Sequence, residues 1–285
     1  MSIMDGEKVA KETLLKLSYE VSRLKTKNIQ PKLVVILVGK NPASLSYVKK
    51  KQKACDVTGI LWDQYDYDES VTTEEIISKI EELNSDETVH GILVQLPLPK
   101  HIYTPNVIRA IEPKKDVDGF TAYNLGKMFT SKDFEDLAPC TPLGVIRLLE
   151  YYNVEIEGKE AVVIGHSNLV GKPLSTMLLN RNATVTTCHI FTKNLKSHTQ
   201  RADILCVGVG KPHLITRDMV KDGAIVVDIG VNRMENGKLC GDCDFSDLEE
   251  KVKYITPVPG GVGPMTVAML MENTVSSAKR INNIK

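Results

Sequence analysis

The sequence predicts an α/β protein of two domains. Three observations carry that prediction. Short strand-like segments at 33–38, 90–95, 160–165, 183–189, 202–207 and 223–228, most of them apolar, alternate with segments of helical spacing, which is how parallel strands covered on both faces read. One of these runs, 160–165, ends at Gly165 and passes through a tight turn into a helix. Free N–H groups and the helix dipole favour a phosphate at such a junction. A Gly- and Pro-rich connector at 256–266 precedes a last helix to about Arg280, expected to return to the first domain and complete it.

The first half justifies its elements in order. Residues 5–27 carry Val9, Leu14, Leu17, Val21 and Leu24 at helical spacing, and 33–38 reads as a buried strand. Asn41 suits a helix N-cap and Pro42 the first helical position. In the helix that follows, Ser44, Tyr47 and Lys51 fall within roughly 60° of one another at about 100° per residue, while Lys49, Lys50 and Lys53 point the other way. A solvated basic helix is the plain reading. The sharper one is a lysine held beside a tyrosine on a half-apolar face. A strand from 59–60 toward Tyr67, a helix opened by the acidic turn Thr72-Thr73-Glu74-Glu75, and the strand at 90–95 come next. Ligands of parallel sheets sit beyond the carboxyl ends of strands. The Tyr47/Lys51 helix starts at one such end and Gln95 lies at another.

Asp116-Val117-Asp118-Gly119 is a plausible turn that lacks the later acidic ligands of a calcium loop, so no metal is expected there. A less regular stretch runs to about Ala138. Beyond the Pro139-Cys140-Thr141-Pro142 turn, a helix at 143–152 is expected to bridge the domains, with the boundary near 138–145.

In the second half, the loop from Gly165 to Pro173 is neither G-x-G-x-x-G nor a Walker A loop. Five residues separate Gly165 from Gly171, and Pro173 stands where Ser or Thr would bind magnesium. With the strands at 183–189, 202–207 and 223–228 it still makes a Rossmann-like dinucleotide-binding domain. An NAD site usually sets a carboxylate at the end of the second strand. Here that end reads Cys188-His189-Ile190-Phe191-Thr192-Lys193, which tolerates a 2′-phosphate and favours NADP. Cys240-Gly241-Asp242-Cys243 is a lone Cys-x-x-Cys, too little for structural zinc.

Composition excludes several classes of partner. Lys plus Arg and Asp plus Glu number 36 each, so no field of one sign advertises nucleic acid or an anionic membrane. Neither a leader pattern nor an apolar run of spanning length is visible. Six cysteines in 285 residues read as reduced thiols in a cytoplasmic protein.

Taken together, several segments resemble the bacterial bifunctional methylenetetrahydrofolate dehydrogenase/methenyltetrahydrofolate cyclohydrolase family over essentially the whole chain. They are Asn41 through Tyr47 to Lys51, 91–99, Lys115-Asp116-Val117-Asp118-Gly119-Phe120, 139–144, the Gly165 loop and 256–266. The resemblance implies a folate-binding catalytic domain (1–140 and 264–285), an NADP-binding domain (141–263) and a cleft between them. Tyr47 would stack on the folate ring system, and Lys51 would be the central catalytic group, hydrogen-bonded by Gln95. Asp118 would hold the pterin N–H groups. Ser44, Cys140, Pro259, Gly261, Val262 and Gly263 would line the folate site, and Gly165, His166, Ser167, Ile190 and Val231 would contact NADP. A homodimer is also implied. Relatives that grip the 2′-phosphate with arginine near 166 or 190 differ from this chain, which has His and Ile, so the NADP preference is expected either to be weaker or to be carried by His166, His189 or Lys193. Two rival readings are a short-chain dehydrogenase, whose Gly loop precedes its Tyr/Lys pair, and a non-catalytic NADP-binding regulatory module.

Overall fold

The computed structural model describes residues 2–284. In chain order its elements are β1 (Ser2–Ile3), α1 (Gly6–Lys25), β2 (Lys32–Val38), α2 (Pro42–Thr58), β3 (Leu61–Tyr67), α3 (Thr73–Ser85), β4 (Gly91–Val94), α4 (Thr104–Ala110), α5 (Ala122–Thr130) and α6 (Cys140–Tyr151). There follow β5 (Glu160–Ile164), α7 (Gly171–Leu179), β6 (Thr184–Cys188), α8 (Leu195–Thr199), β7 (Ile204–Val207) and β8 (Ile225–Asp228). The chain ends with β9 (Asn232–Arg233), β10 (Leu239–Cys240), α9 (Phe245–Leu248), β11 (Tyr254–Ile255) and α10 (Val262–Ile281). Contacts divide it into two compact units: Lys11–Cys140 with Val267–Lys285, and Met1–Ala10 with Thr141–Thr266.

The unit of Lys11–Cys140 and Val267–Lys285 holds a parallel sheet in the order β3-β2-β4. Central β2 is buried from Leu33 to Val38, which is why its sequence is a continuous apolar run rather than an alternation. Val34, Ile36 and Val38 pack with Ile76, Ile80 and Leu83 of α3 and Val107 of α4. Thr72 and Glu75 form a capping box at the start of α3, satisfying two N–H groups that the helix cannot. At the other end Lys115 Nζ donates to the carbonyls of Leu83, Asn84 and Asp86. Helix α4 has no counterpart in the sequence reading, and α5 lies in the stretch read as irregular. Both are short, α4 at 7 residues and α5 at 9, too short to sustain a periodic signal.

The other unit carries a six-stranded parallel sheet, β1-β11-β8-β7-β5-β6. The sequence reading grouped residues 1–10 with the N-terminal domain. Strand pairing instead sets Ser2 and Ile3 against Tyr254 and Ile255 at the edge of this sheet, because two residues give no pattern from which a partner can be read. From β5 the chain steps to β6 on one side and then returns to β7 on the other. The carboxyl ends of β5 and β7 therefore flank a topological switch point, the crevice in which open α/β sheets receive ligands.

Candidate functional site

The lysine centre lies in the unit of Lys11–Cys140 and Val267–Lys285. Asn41 Oδ1 accepts from the N–H groups of Ala43 and Ser44 at 2.9 and 3.3 Å, so α2 starts at the carboxyl end of β2. Gly59 ends it in the left-handed region at φ 76°, a conformation glycine adopts without a Cβ penalty. Ser44, Val48, Lys51, Ala54 and Cys55 form its buried face, Tyr47 is half-buried, and Lys49, Lys50 and Lys53 are exposed. Helical phase thus separates Lys51 from its three neighbours.

Lys51 is 7% exposed, and its Nζ donates to Gln95 Oε1 at 2.9 Å. Gln95 is held in turn. Its N–H donates to the Ile36 carbonyl at 2.9 Å, and its Nε2 donates to the Leu96 carbonyl at 2.6 Å. Orientation of the amide is therefore fixed with oxygen toward the ammonium. Asp118 stands close enough for its charge to interact with Lys51. Burial pushes the Asp118 carboxyl above the usual range, the lysine charge pulls it back, Asp116 adds to the rise, and a hydrogen bond with Cys140 opposes it. The Cys140 thiol is buried and lies 3.3 Å from the Val117 carbonyl. Burial first, and then the Asp118 charge, raise it well above the ordinary thiol range. Desolvation also raises the Tyr47 phenol, and Lys50 Nζ sits 5.7 Å from the Tyr47 ring centroid.

Neighbouring charges in the same motif are structural. The Asp116 carboxylate accepts from the N–H groups of Gly119, Phe120 and Thr121 and from Asn124 Nδ2. That makes it the organiser of the turn, while Asp118 is left with its side chain beside Lys51. The two carboxylates are two residues apart and chemically identical, and only the backbone path distinguishes them.

In the unit of Met1–Ala10 and Thr141–Thr266 a cavity of about 600 Å³ opens at the switch point. Gly165, His166 and Ser167 line it after β5, His189, Ile190 and Thr192 after β6, and Gly208, Val209 and Lys211 after β7. Glycines make the turn possible. Gly165 has φ 121°, and a Cβ built on Gly171 would lie 2.0 Å from the Gly165 carbonyl oxygen. Ser167 Oγ accepts from the Val170 N–H at 3.1 Å, bracing the loop before α7. The His166 and His189 rings lie 4.8 Å apart. Ile190 is 87% exposed, an apolar face at the cavity rim. The glycine cradle, the apolar lining and the N-terminus of α7 suit a dinucleotide.

Among the other expected cofactor contacts, Val231 is exposed and Lys193 is exposed, and neither lines this cavity. Lys211 and Thr192 were missed. The Gly208-Val209-Gly210 string at the end of β7 was the available signal for Lys211. In this unit Pro259 is exposed, Gly261 and Val262 are buried, and Gly263 is half-buried. Gly261 is required where it stands, since a Cβ there would lie 2.6 Å from the Pro257 carbonyl oxygen and 2.8 Å from Thr256 Cβ.

Cys240 and Cys243 are free thiols, and the residues between them explain the motif. Asp242 is buried, and its carboxylate accepts from the N–H groups of Val209, Gly210 and Lys211 and from Asn232 Nδ2. It fixes the loop that presents Lys211. Asp228 accepts from the Gly230, Asp242 and Cys243 N–H groups, and burial raises its carboxyl to about 6. Gly241 makes room for it, for a Cβ there would fall 1.9 Å from Asp228 Oδ2. Among the described residues no cluster of three or more His, Cys, Asp or Glu could hold a metal ion.

Comparison with known proteins finds matches to two successive stretches of the chain. Residues 4–118 match the family model for the tetrahydrofolate dehydrogenase/cyclohydrolase catalytic domain, and residues 139–282 match that for its NAD(P)-binding domain. The bifunctional protein FolD of Nautilia profundicola is 54% identical over 279 residues, covering 98% of each chain. The crystal structure of the bifunctional methylenetetrahydrofolate dehydrogenase/cyclohydrolase FolD from Campylobacter jejuni superposes with a TM-score of 0.95 at 50% identity, over 98% of this chain and 99% of that one. The Trypanosoma brucei N5,N10-methylenetetrahydrofolate dehydrogenase-cyclohydrolase, solved with NADP and an inhibitor, gives 0.94 at 36% identity over 98% and 97%. The chain belongs to the tetrahydrofolate dehydrogenase/cyclohydrolase family.

Proposed function

We propose that this chain oxidises 5,10-methylenetetrahydrofolate to 5,10-methenyltetrahydrofolate with NADP⁺ and hydrolyses the product to 10-formyltetrahydrofolate. Family membership supports both activities and the cofactor. The observation that carries the residue assignment is the buried Lys51 ammonium, donating at 2.9 Å to an amide that is itself held on both sides.

Tyr47 offers a flat, half-buried ring on which the folate ring system stacks. Asp118 accepts from the pterin amino and ring N–H groups. Ser44 and Cys140 support the same pocket. Bound NADP⁺ supplies the hydride acceptor, and the glycine turn at Gly165, with His166 and Ser167, holds its phosphates and ribose. For the first reaction the chain's contribution is alignment of two bound reactants. The second requires water to attack the cationic amidine carbon, with protons moved at the added oxygen and at the ring nitrogen. Lys51 is the group that moves them, and Gln95 keeps its Nζ aimed.

Absorbance after mixing protein, methylenetetrahydrofolate and NADP⁺ tests the pair of activities. NADPH should accumulate while the methenyl band stays near baseline. NADPH with a lasting methenyl product would remove the hydrolase half, and no NADPH would remove the dehydrogenase half. We infer that the working form is a cytoplasmic homodimer, and light scattering of the purified chain at twice its 31.6 kDa mass is the expected result.

A further inference from the structure

Helix α10 presents two buried polar side chains one turn apart, and each reaches backbone carbonyls from two separate segments. Ser277 Oγ lies within hydrogen-bond reach of the carbonyls of both His90 and Lys114, which share its one O–H. Asn273, 1% exposed, donates from Nδ2 to the Val117 carbonyl at 2.9 Å and to the Ala138 carbonyl at 3.0 Å, with Cys140 Sγ at 3.6 Å. These acceptors surround Asp118. Val117 precedes it, and the Cys140 thiol lies beside its carboxyl. Next to it, Gly119 runs so close to the 137–139 backbone that a Cβ would lie 2.6 Å from the Leu137 oxygen and the Ala138 carbon. On the far side, Gly119, Phe120 and Thr121 are tied down by the Asp116 carboxylate. The near side of Asp118 has two ties to the Val117 carbonyl, one from the Cys140 thiol and one from Asn273.

We propose that Asn273 is a positioning residue for the folate site: by clamping the Val117 and Ala138 carbonyls together beside Cys140, it sets the direction in which Asp118 presents its carboxylate. One amide with two N–H groups suits the task, because it bridges two carbonyls without bringing a charge into the core. A hydrophobic side chain there would fill the space, leave both carbonyls without this donor and free the Val117 peptide to rotate. The inference rests on the reading of Asp118 as the pterin's acceptor.

A double-mutant cycle separates the two claims. Tetrahydrofolate is titrated by calorimetry, under reductant, into wild type, Asn273→Leu, Asp118→Asn and the double variant, with NADP⁺ titrated into each as a control. Asn273→Leu should raise the tetrahydrofolate Kd about tenfold, the equivalent of about 1.4 kcal/mol, without moving the NADP⁺ Kd. In the Asp118→Asn background the same substitution should move the tetrahydrofolate Kd less than about twofold, the signature of two groups acting as one. A lowered melting temperature with an unchanged tetrahydrofolate Kd would make Asn273 merely structural. A tenfold loss that persists in the Asp118→Asn background would equally overturn the inference while leaving the Asp118 reading intact. Wild-type tetrahydrofolate affinity in Asp118→Asn alone would remove the Asp118 reading and this inference with it. Should Asn273→Leu not fold, Asn273→Ser, which is smaller and keeps a hydroxyl donor, is read by the same criterion in the same two backgrounds.

Discussion

Lys51 and Lys115 are both buried, and their partners separate their roles. Lys115 spends its N–H donors on three backbone carbonyls at the end of α3, whereas Lys51 donates to the single oxygen of Gln95. Replacing Lys115 by Met should lower stability by about 3 kcal/mol by leaving those carbonyls without the charged donor, seen as a drop in urea midpoint. Activity per folded molecule should stay within about twofold, since a point change remote from reacting groups alters population more than chemistry. His90 gives a pH prediction. Its Nδ1 is buried without a partner, and Nε2 lies 3.4 Å from Asn282 Nδ2. Burial lowers its pKa, the nearby Lys115 charge lowers it further, and Asp86 opposes. The folded state thus resists protonation while an unfolded histidine titrates near 6.5, so stability should fall as pH drops below about 6.5. His90→Gln should flatten that limb of a urea-midpoint profile. An unchanged slope would show that His90 is not its source.

At the scale of elements, α2 was the most legible because a cap, a proline and a 3.6-residue period all agreed on one helix and one inward face. The same argument could not see that Asp116 and Asp118 divide their labour, since that depends on where the following backbone turns. Nor could it find Lys211, which acquires its place only when Asp242 gathers three N–H groups from 31 to 33 residues earlier in the chain. Glycine positions test the β5–α7 junction. Gly171→Ala drives a Cβ to 2.0 Å from the Gly165 oxygen, so the turn must open, and NADP⁺ affinity by calorimetry should fall by about 100-fold or more, roughly 3 kcal/mol. Gly126→Ala in α5, where nothing lies within 4 Å of the new Cβ, should leave NADP⁺ affinity unchanged and stabilise by about 0.5–1 kcal/mol. Equal losses in both variants would contradict the assignment of the cavity.

For the whole molecule, the alternation of apolar runs and helical segments was enough to predict two parallel sheets, because β2 and β4 in one unit and β5, β7 and β8 in the other are buried and written as continuous apolar sequence. The edge strand Ser2–Ile3 escaped notice for the opposite reason: it is exposed and two residues long. Family membership displaces both rival readings, the short-chain dehydrogenase and the regulatory module. On the proposed assignment, the buried lysine sets the chemistry. The most direct test compares Lys51→Met with wild type for decay of the methenyltetrahydrofolate band, with tetrahydrofolate binding followed by calorimetry in the same preparations. Hydrolysis should fall by about 10²–10⁴-fold, the usual contribution of a positioned acid–base group, while tetrahydrofolate still binds. Hydrolysis at the wild-type rate in a variant that binds tetrahydrofolate would contradict the role given to Lys51.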